Sequence, residues 1–196
     1  MAKIPDLWPE PQLCVRSSAS EAWRRSAGVW KDSRPVLALY PGAPDGERAW
    51  PMERFASIGA HFAGAGWTVW LVGGVREQVA AQFIRGKVPE ARDLTDTSLP
   101  DAVCQLDHAT VMLGVDAGLT HVAAALGTPT VMIHDWRTRF EHGPINRHVE
   151  QLEPPMASSR SGPDGVTEER VRQAIVTVAE RAAATGRDRT VARRTM

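Results

Sequence analysis

The residues best placed to do chemistry form one run, Asp116-Ala117-Gly118-Leu119-Thr120-His121, set between the apolar stretch Val111 to Val115 and the segment Val122 to Leu126. The β-branched residues before Asp116 predict a strand and the Ala/Leu spacing after it a helix, joined by a tight turn and ended by Gly127 and Pro129. A helix that starts so abruptly leaves the N–H groups of Ala117, Gly118, Leu119 and Thr120 without intrahelical acceptors, with the positive end of the helix dipole behind them. Such a turn seats an anion, and a diphosphate matches its charge and reach. Gly118 lets a ligand approach the backbone closely. Asp116 is placed to cap the helix or to take a hydroxyl, and His121 returns one turn later as a donor.

Two further side chains stand where they can join this seat. Arg48 follows the loop Pro41-Gly42-Ala43-Pro44-Asp45-Gly46, which lies beyond the strand Pro35 to Tyr40. A guanidinium there can clamp a phosphate bidentately, or it can be an ordinary surface arginine. Glu77 follows Gly73-Gly74 at the start of a helix spanning Arg76 to Arg85. A carboxylate in a first turn is a dipole partner, or it accepts a ribose hydroxyl as acidic residues do in dinucleotide sites. Gly73-Gly74 is too short to make a Gly-x-Gly-x-x-Gly fingerprint, so no NAD site is expected.

The elements that position these residues alternate regularly. Strands are expected at Pro35 to Tyr40, Trp67 to Val72, Ala91 to Leu94, Val111 to Val115 and Thr130 to His134, with an edge strand at Val149 to Leu152. Between them lie a helix opened by Trp50-Pro51, with Phe55, Ile58 and Phe62 inward and Gly66 at its end, and a helix Leu99 to Leu106 capped by Asp96-Thr97-Ser98. A final amphipathic helix runs from Thr167 as N-cap to about Ala184, with Val171, Ile175, Val178 and Ala182 inward. The repeated β, loop, α order gives an α/β, Rossmann-like parallel sheet with helices on both faces. Every candidate residue falls beyond a strand's carboxyl end, the edge at which open α/β sheets bind ligands.

Domain organisation follows from the same pattern. Residues 1–34 read as an N-terminal arm or linker, broken by Pro5, Pro9 and Pro11, with at most a short helix within Glu21 to Val29. The arm carries Trp8, Trp23 and Trp30, which must cover something, either this domain or another. Residues 35–185 form the single α/β domain, and 186–196 a basic tail expected to be disordered.

Composition narrows the classes. Lys+Arg and Asp+Glu both number 23, so no net field favours nucleic acid. The two cysteines, Cys14 and Cys104, have no metal-site spacing, and His134, His142 and His148 lack the His-x-x-x-His interval, so neither a metal nor another cofactor is expected. No leader or spanning segment is visible, which suggests a cytoplasmic protein with at most peripheral contact at the inner membrane.

About residues 35–135 of the chain resemble glycosyltransferase family 9, the ADP-heptose:lipopolysaccharide heptosyltransferases. The resemblance is carried by Tyr40-Pro41-Gly42-Ala43, Arg48-Ala49-Trp50-Pro51 with Phe55, Val72-Gly73-Gly74 with Glu77, Leu94-Thr95-Asp96-Thr97-Ser98-Leu99, and the run Asp116 to Pro129. It implies the C-terminal, donor-binding half of a GT-B enzyme, inverting and metal-independent. In that reading Arg48 contacts the diphosphate where the family has lysine, Glu77 the ribose and Thr97 the base. Asp116 lies near the donor sugar, the amides of Ala117, Gly118 and Leu119 hold the phosphates, and Thr120 and His121 complete the motif. Ala117 stands where the family has Ser or Thr, and His134-Asp135-Trp136 where it has an aromatic-Gly turn. The implied ligand is a nucleotide-diphosphate sugar, an ADP-sugar first. The general base is expected from an N-terminal acceptor domain, which this chain is expected to lack. The alternative is a non-catalytic nucleotide-sugar-binding or interaction domain, a remnant that associates with itself or with an N-terminal partner.

Overall fold

The computed structural model describes residues 12–26, 33–42, 49–134, 148–155 and 162–185. The strands are β1 (Val36–Tyr40), β2 (Thr68–Gly73), β3 (Arg92–Thr95), β4 (Val111–Val115), β5 (Thr130–Ile133) and β6 (Val149–Leu152). The helices are α1 (Ser17–Ser26), α2 (Met52–Gly64), α3 (Gln78–Lys87), α4 (Leu99–His108), α5 (Gly118–Ala125) and α6 (Glu168–Ala184). All strand pairs are parallel, in the order β3-β2-β1-β4-β5-β6. The architecture is therefore the Rossmann-like α/β sheet that the alternation predicts, with its strand order reversing between β1 and β4.

Strand periodicity sorts the core into two layers. On one face Leu37, Leu39, Val69, Leu71, Leu113 and Ile133 pack under α2, α3 and α6, which contribute Phe55, Ile58, Ile84, Ile175 and Val178. On the other, Val36, Ala38, Trp70, Val72 and Met112 meet α1, α4 and α5 through Trp23, Leu106 and Ala123. Helix ends follow local chemistry: Ser98 Oγ accepts from the Asp101 N–H, and Thr167 Oγ1 from the Arg170 N–H.

Several expected boundaries move. The helix of the arm starts four residues earlier than proposed, at Ser17, and Trp23 buries itself edge-on against Trp70 at 5.8 Å, so this tryptophan covers its own domain. Helix α2 stops at Gly64, and Gly66 follows the Ala65 C-cap at φ +86°. The segment from Val75 begins as a 3-10 turn to Glu77 before α3, so Glu77 closes a turn instead of opening the α-helix. Trp8, Trp30, Arg48, His142 and the basic tail lie outside the described residues.

Candidate functional site at the carboxyl edge of β1 and β4

The reversal of strand order opens a crevice at the carboxyl ends of β1 and β4, because the connections leaving these neighbouring strands diverge to opposite faces. Tyr40 and Gly114 are register partners at its floor. The loop that leads to Arg48 departs from Pro41-Gly42, where Gly42 adopts φ +70° and a Cβ would come within 2.6 Å of Val115 Cγ2. Only glycine lets the backbone at position 42 lie against the end of β4. The stems of the same loop, Pro41-Gly42 and Ala49-Trp50, line a shallow cavity with Asp164.

On the β4 side, α5 begins at Gly118 with Ala117 as an extended N-cap residue, and no side chain caps it. The N–H groups of Ala117, Gly118 and Leu119 have no acceptor among the described residues. Thr120 differs from expectation. Its N–H donates to Ala117 O at 3.0 Å, and that of His121 reaches the same oxygen at 3.4 Å, so the bare set is three amides rather than four. The first turn tightens onto Ala117, and this withdraws the later donors. The Thr120 hydroxyl is also committed: fully buried, it donates to Val115 O at 2.7 Å and ties helix to strand. Among the described residues, nothing beyond its chain neighbours and its own helix backbone lies within 4 Å of where a Gly118 Cβ would stand.

Gly114 shows how tightly this junction is built. A Cβ there would fall on the Thr120 hydroxyl and lie 3.4 Å from Tyr40 Cβ. Gly114→Ala is expected to destabilise the fold by about 1–3 kcal/mol through overpacking. The double variant with Thr120→Ala should recover part of that loss, so the two effects in thermal denaturation should not add. Additive losses would show that the junction relaxes around the new methyl group.

Asp116 does not act as the helix cap. Its carboxylate is buried, with Oδ1 2.8 Å from His121 Nε2 and Oδ2 3.3 Å from His134 Nδ1. The His121 side chain is 32% exposed, so the pair reaches the surface only through this ring. His134 was read as the end of a strand and as one of three scattered histidines, with no role in the site; the structure buries it completely at the end of β5. The available signal was positional, since His134 follows the apolar run Thr130 to Ile133 just as Asp116 follows Val111 to Val115. Among the described residues no group of three or more His, Cys, Asp or Glu side chains is arranged to hold a metal ion.

The remaining candidates lie beyond β2 and β3. Glu77 is buried, and its Oε2 accepts the Gly74 N–H at 2.7 Å, so one carboxylate oxygen is spent on its own turn. Burial, and then the Glu77 carboxylate, push the Tyr40 phenol above its usual pKa, with Arg76 opposing. Tyr40 therefore stays protonated at neutral pH, a hydrogen-bond donor at the crevice floor that sequence reasoning had not singled out. Thr97 sits in the β3–α4 loop, where its hydroxyl donates to Leu94 O at 3.3 Å and accepts from Gln105 Nε2 at 3.0 Å. The Asp96 N–H donates to Gly73 O at 3.1 Å, so the loops after β2 and β3 are tied together. Leu119 packs partly on the α4 layer and contributes its amide to the bare set. The structure thus groups Asp116, Ala117, Gly118, Leu119, Thr120 and His121 at one junction, and places Glu77 and Thr97 on neighbouring loops.

Comparison with known proteins agrees with this fold. The chain is 27% identical over 138 residues to lipopolysaccharide heptosyltransferase 2 of Escherichia coli K12, which covers 66% of this chain and 38% of that protein. Its fold superposes on the structure of E. coli ADP-heptose LPS heptosyltransferase II with a TM-score of 0.78 at 23% identity, over 93% of this chain and 56% of the other. A second match is E. coli heptosyltransferase WaaC with ADP-2-deoxy-2-fluoro heptose, at a TM-score of 0.63 and 18% identity, over 85% of this chain and 50% of that one. The chain therefore spans 38% of the length of the first of these relatives and 56% of the second. No helix among the described residues is long and apolar enough to cross a membrane. Since the model of glycosyltransferase family 9 (heptosyltransferase) matches residues 3–161, most of the sequence and all of the junction described above, the chain belongs to that family.

Proposed function

We propose that this chain is a donor-binding domain of a heptosyltransferase-type glycosyltransferase, which seats the diphosphate of a nucleotide-diphosphate sugar on the first turn of α5. The observation that carries the reading is the uncapped helix start: three bare amides, Ala117, Gly118 and Leu119, at the point where strand order reverses. Backbone donors and the helix dipole favour an anion there without any cationic side chain. Arg48, which follows the segment after β1 in the sequence, is the cationic side chain assigned in this reading to close over the diphosphate.

Chemistry at such a seat is leaving-group stabilisation. As the bond from the anomeric carbon to the diphosphate breaks, negative charge grows on the phosphate oxygens, and preformed N–H donors stabilise it without reorganising. Asp116 and His121 lie beside the sugar end in this reading, Glu77 offers its remaining carboxylate oxygen to the ribose, and Thr97 lines the base. Activation of the acceptor hydroxyl calls for a base and a closed cleft, and these are assigned to an N-terminal acceptor domain that completes the site. The similar fold of E. coli heptosyltransferase WaaC with ADP-2-deoxy-2-fluoro heptose supports an ADP-sugar as the first ligand to try.

Titration calorimetry with ADP, with AMP and adenosine as controls, tests the reading. ADP is expected to bind and to raise the melting temperature, AMP to bind more weakly and adenosine least, with Arg48→Ala weakening ADP selectively. Absence of binding and of any thermal shift at millimolar ADP would overturn it. A retained preference for adenosine would mean that the seat recognises the base rather than the diphosphate.

A further inference from the structure

We infer that His134 is a positioning residue that holds the Asp116 carboxylate away from the first turn of α5 and thereby keeps the anion seat open. This rests on reading that turn as a diphosphate seat. Its starting point is sheet register. Val115 and Ile133 are the last paired residues of β4 and β5, so Asp116 and His134 are the next partners in line. Both backbones remain in the ladder, the Asp116 N–H donating to Ile133 O at 3.0 Å and the His134 N–H to Leu152 O at 2.9 Å. Alternation from Met112, which packs in the α4 and α5 layer, turns the Asp116 side chain to the α5 face.

That placement creates a hazard for a ligand site. Ala117, the N-cap residue, has no side-chain acceptor, and the carboxylate next to the bare amides in the sequence is Asp116, one residue before it. An unrestrained aspartate there turns to its neighbouring N–H groups, as Asp does at helix starts, and fills the seat itself. Instead each of its oxygens faces a histidine: Oδ1 meets His121 Nε2 at 2.8 Å, and Oδ2 lies 3.3 Å from His134 Nδ1. The second approach is a close polar contact and not an aligned hydrogen bond, and the Nδ1–H tautomer is the one that makes it attractive.

The burial of His134 supports a role beyond packing. Its ring is fully buried, and among the described residues Nε2 has no hydrogen-bond partner. Placing an imidazole there costs free energy that a phenyl ring of similar shape would not cost. Among the described residues, the Asp116 carboxylate is the one charged group paired with that ring, and it offsets this cost.

The test compares His134→Phe, which removes the Nδ1–H, with His134→Asn, which keeps an N–H donor near the same position. Two readouts are taken: ADP affinity by calorimetry, and the amide NMR signals of Gly118 and Leu119 in the ligand-free protein. Phe is expected to weaken ADP about tenfold, the scale of one hydrogen bond to a charged group, and to shift both amide signals downfield as they take the carboxylate. Asn should restore affinity and signals close to those of the parent. Unmoved amides and parental affinity in His134→Phe overturn the inference, as does a folded His134→Asn that fails as badly as Phe. If His134→Phe does not fold, His134→Gln, whose amide replaces Nε2 instead, takes its place and must show the same loss. Should the parent protein bind no ADP, the diphosphate reading falls, and the ligand-free amide signals alone decide whether His134 restrains Asp116.

Discussion

Replacing Gly118 by valine is expected to abolish measurable ADP binding while leaving the fold intact. Among the described residues nothing beyond its chain neighbours and its own helix backbone lies within 4 Å of a Cβ at this position, and its backbone is helical, so the new Cβ has room and strains no dihedral. Its methyl groups would stand in the space in front of the Gly118 and Leu119 amides. Two hydrogen bonds to a charged phosphate, at about 1.5 kcal/mol or more each, correspond to about a hundredfold or greater loss in affinity. Stability should change by no more than about 0.5 kcal/mol, as for other exposed substitutions. Gly118→Ala, with a single methyl group, should fall between parent and valine. Calorimetry and thermal melts on the three proteins give the answer; parental affinity in Gly118→Val would place the diphosphate away from α5.

The largest loss of stability is expected at Trp50. This side chain is 1% exposed, packs edge-on to Phe55 at 5.0 Å, and donates its indole N–H to Val166 O at 3.0 Å. It joins the start of α2 to the turn before α6, directly after the loop that carries Arg48. Two effects compete to explain its importance. The hydrogen bond contributes about 1 kcal/mol net, and its loss is softened because Arg54 Nη1 also donates to Val166 O at 2.9 Å. Cavity formation on truncating a buried tryptophan costs about 3–5 kcal/mol, so packing dominates. Trp50→Ala should therefore lower the denaturation midpoint strongly, against a total stability of about 5–15 kcal/mol. Trp50→Phe, which keeps most of the ring volume, should lose much less. Equal losses in the two variants would assign the effect to the indole N–H. Adding Arg54→Ala to Trp50→Ala should cost more than Arg54→Ala does alone in the parent, because Val166 O then loses both donors.

Local rules made most of the framework legible. Apolar runs bounded by glycine and proline located all six strands to within a residue or two, and Ser98 and Thr167 cap the helices that they were expected to cap. The turn from Val115 into Gly118 was equally readable, since a strand and a helix with no room between them must expose amides. These features depend on neighbours within about one helical turn, and that range is what sequence patterns encode.

What lay beyond that range followed long-distance pairing. Which strand lies beside β4 decides the surroundings of Asp116, and 18 positions separate it from the histidine that faces it from β5. No periodicity within either segment reveals this pairing. Asp116, read as a cap or a hydroxyl partner, is a buried carboxylate between two imidazoles, and Glu77, read as a dipole partner or a ribose acceptor, spends one of its oxygens closing a turn. The Thr120 amide is lost to the seat for a related reason: its buried hydroxyl pulls the first turn onto β4, a contact set by the absence of a side chain at Gly114. Motif residues name the chemistry that a junction can support; the packing of strands around it determines which of their polar atoms remain available.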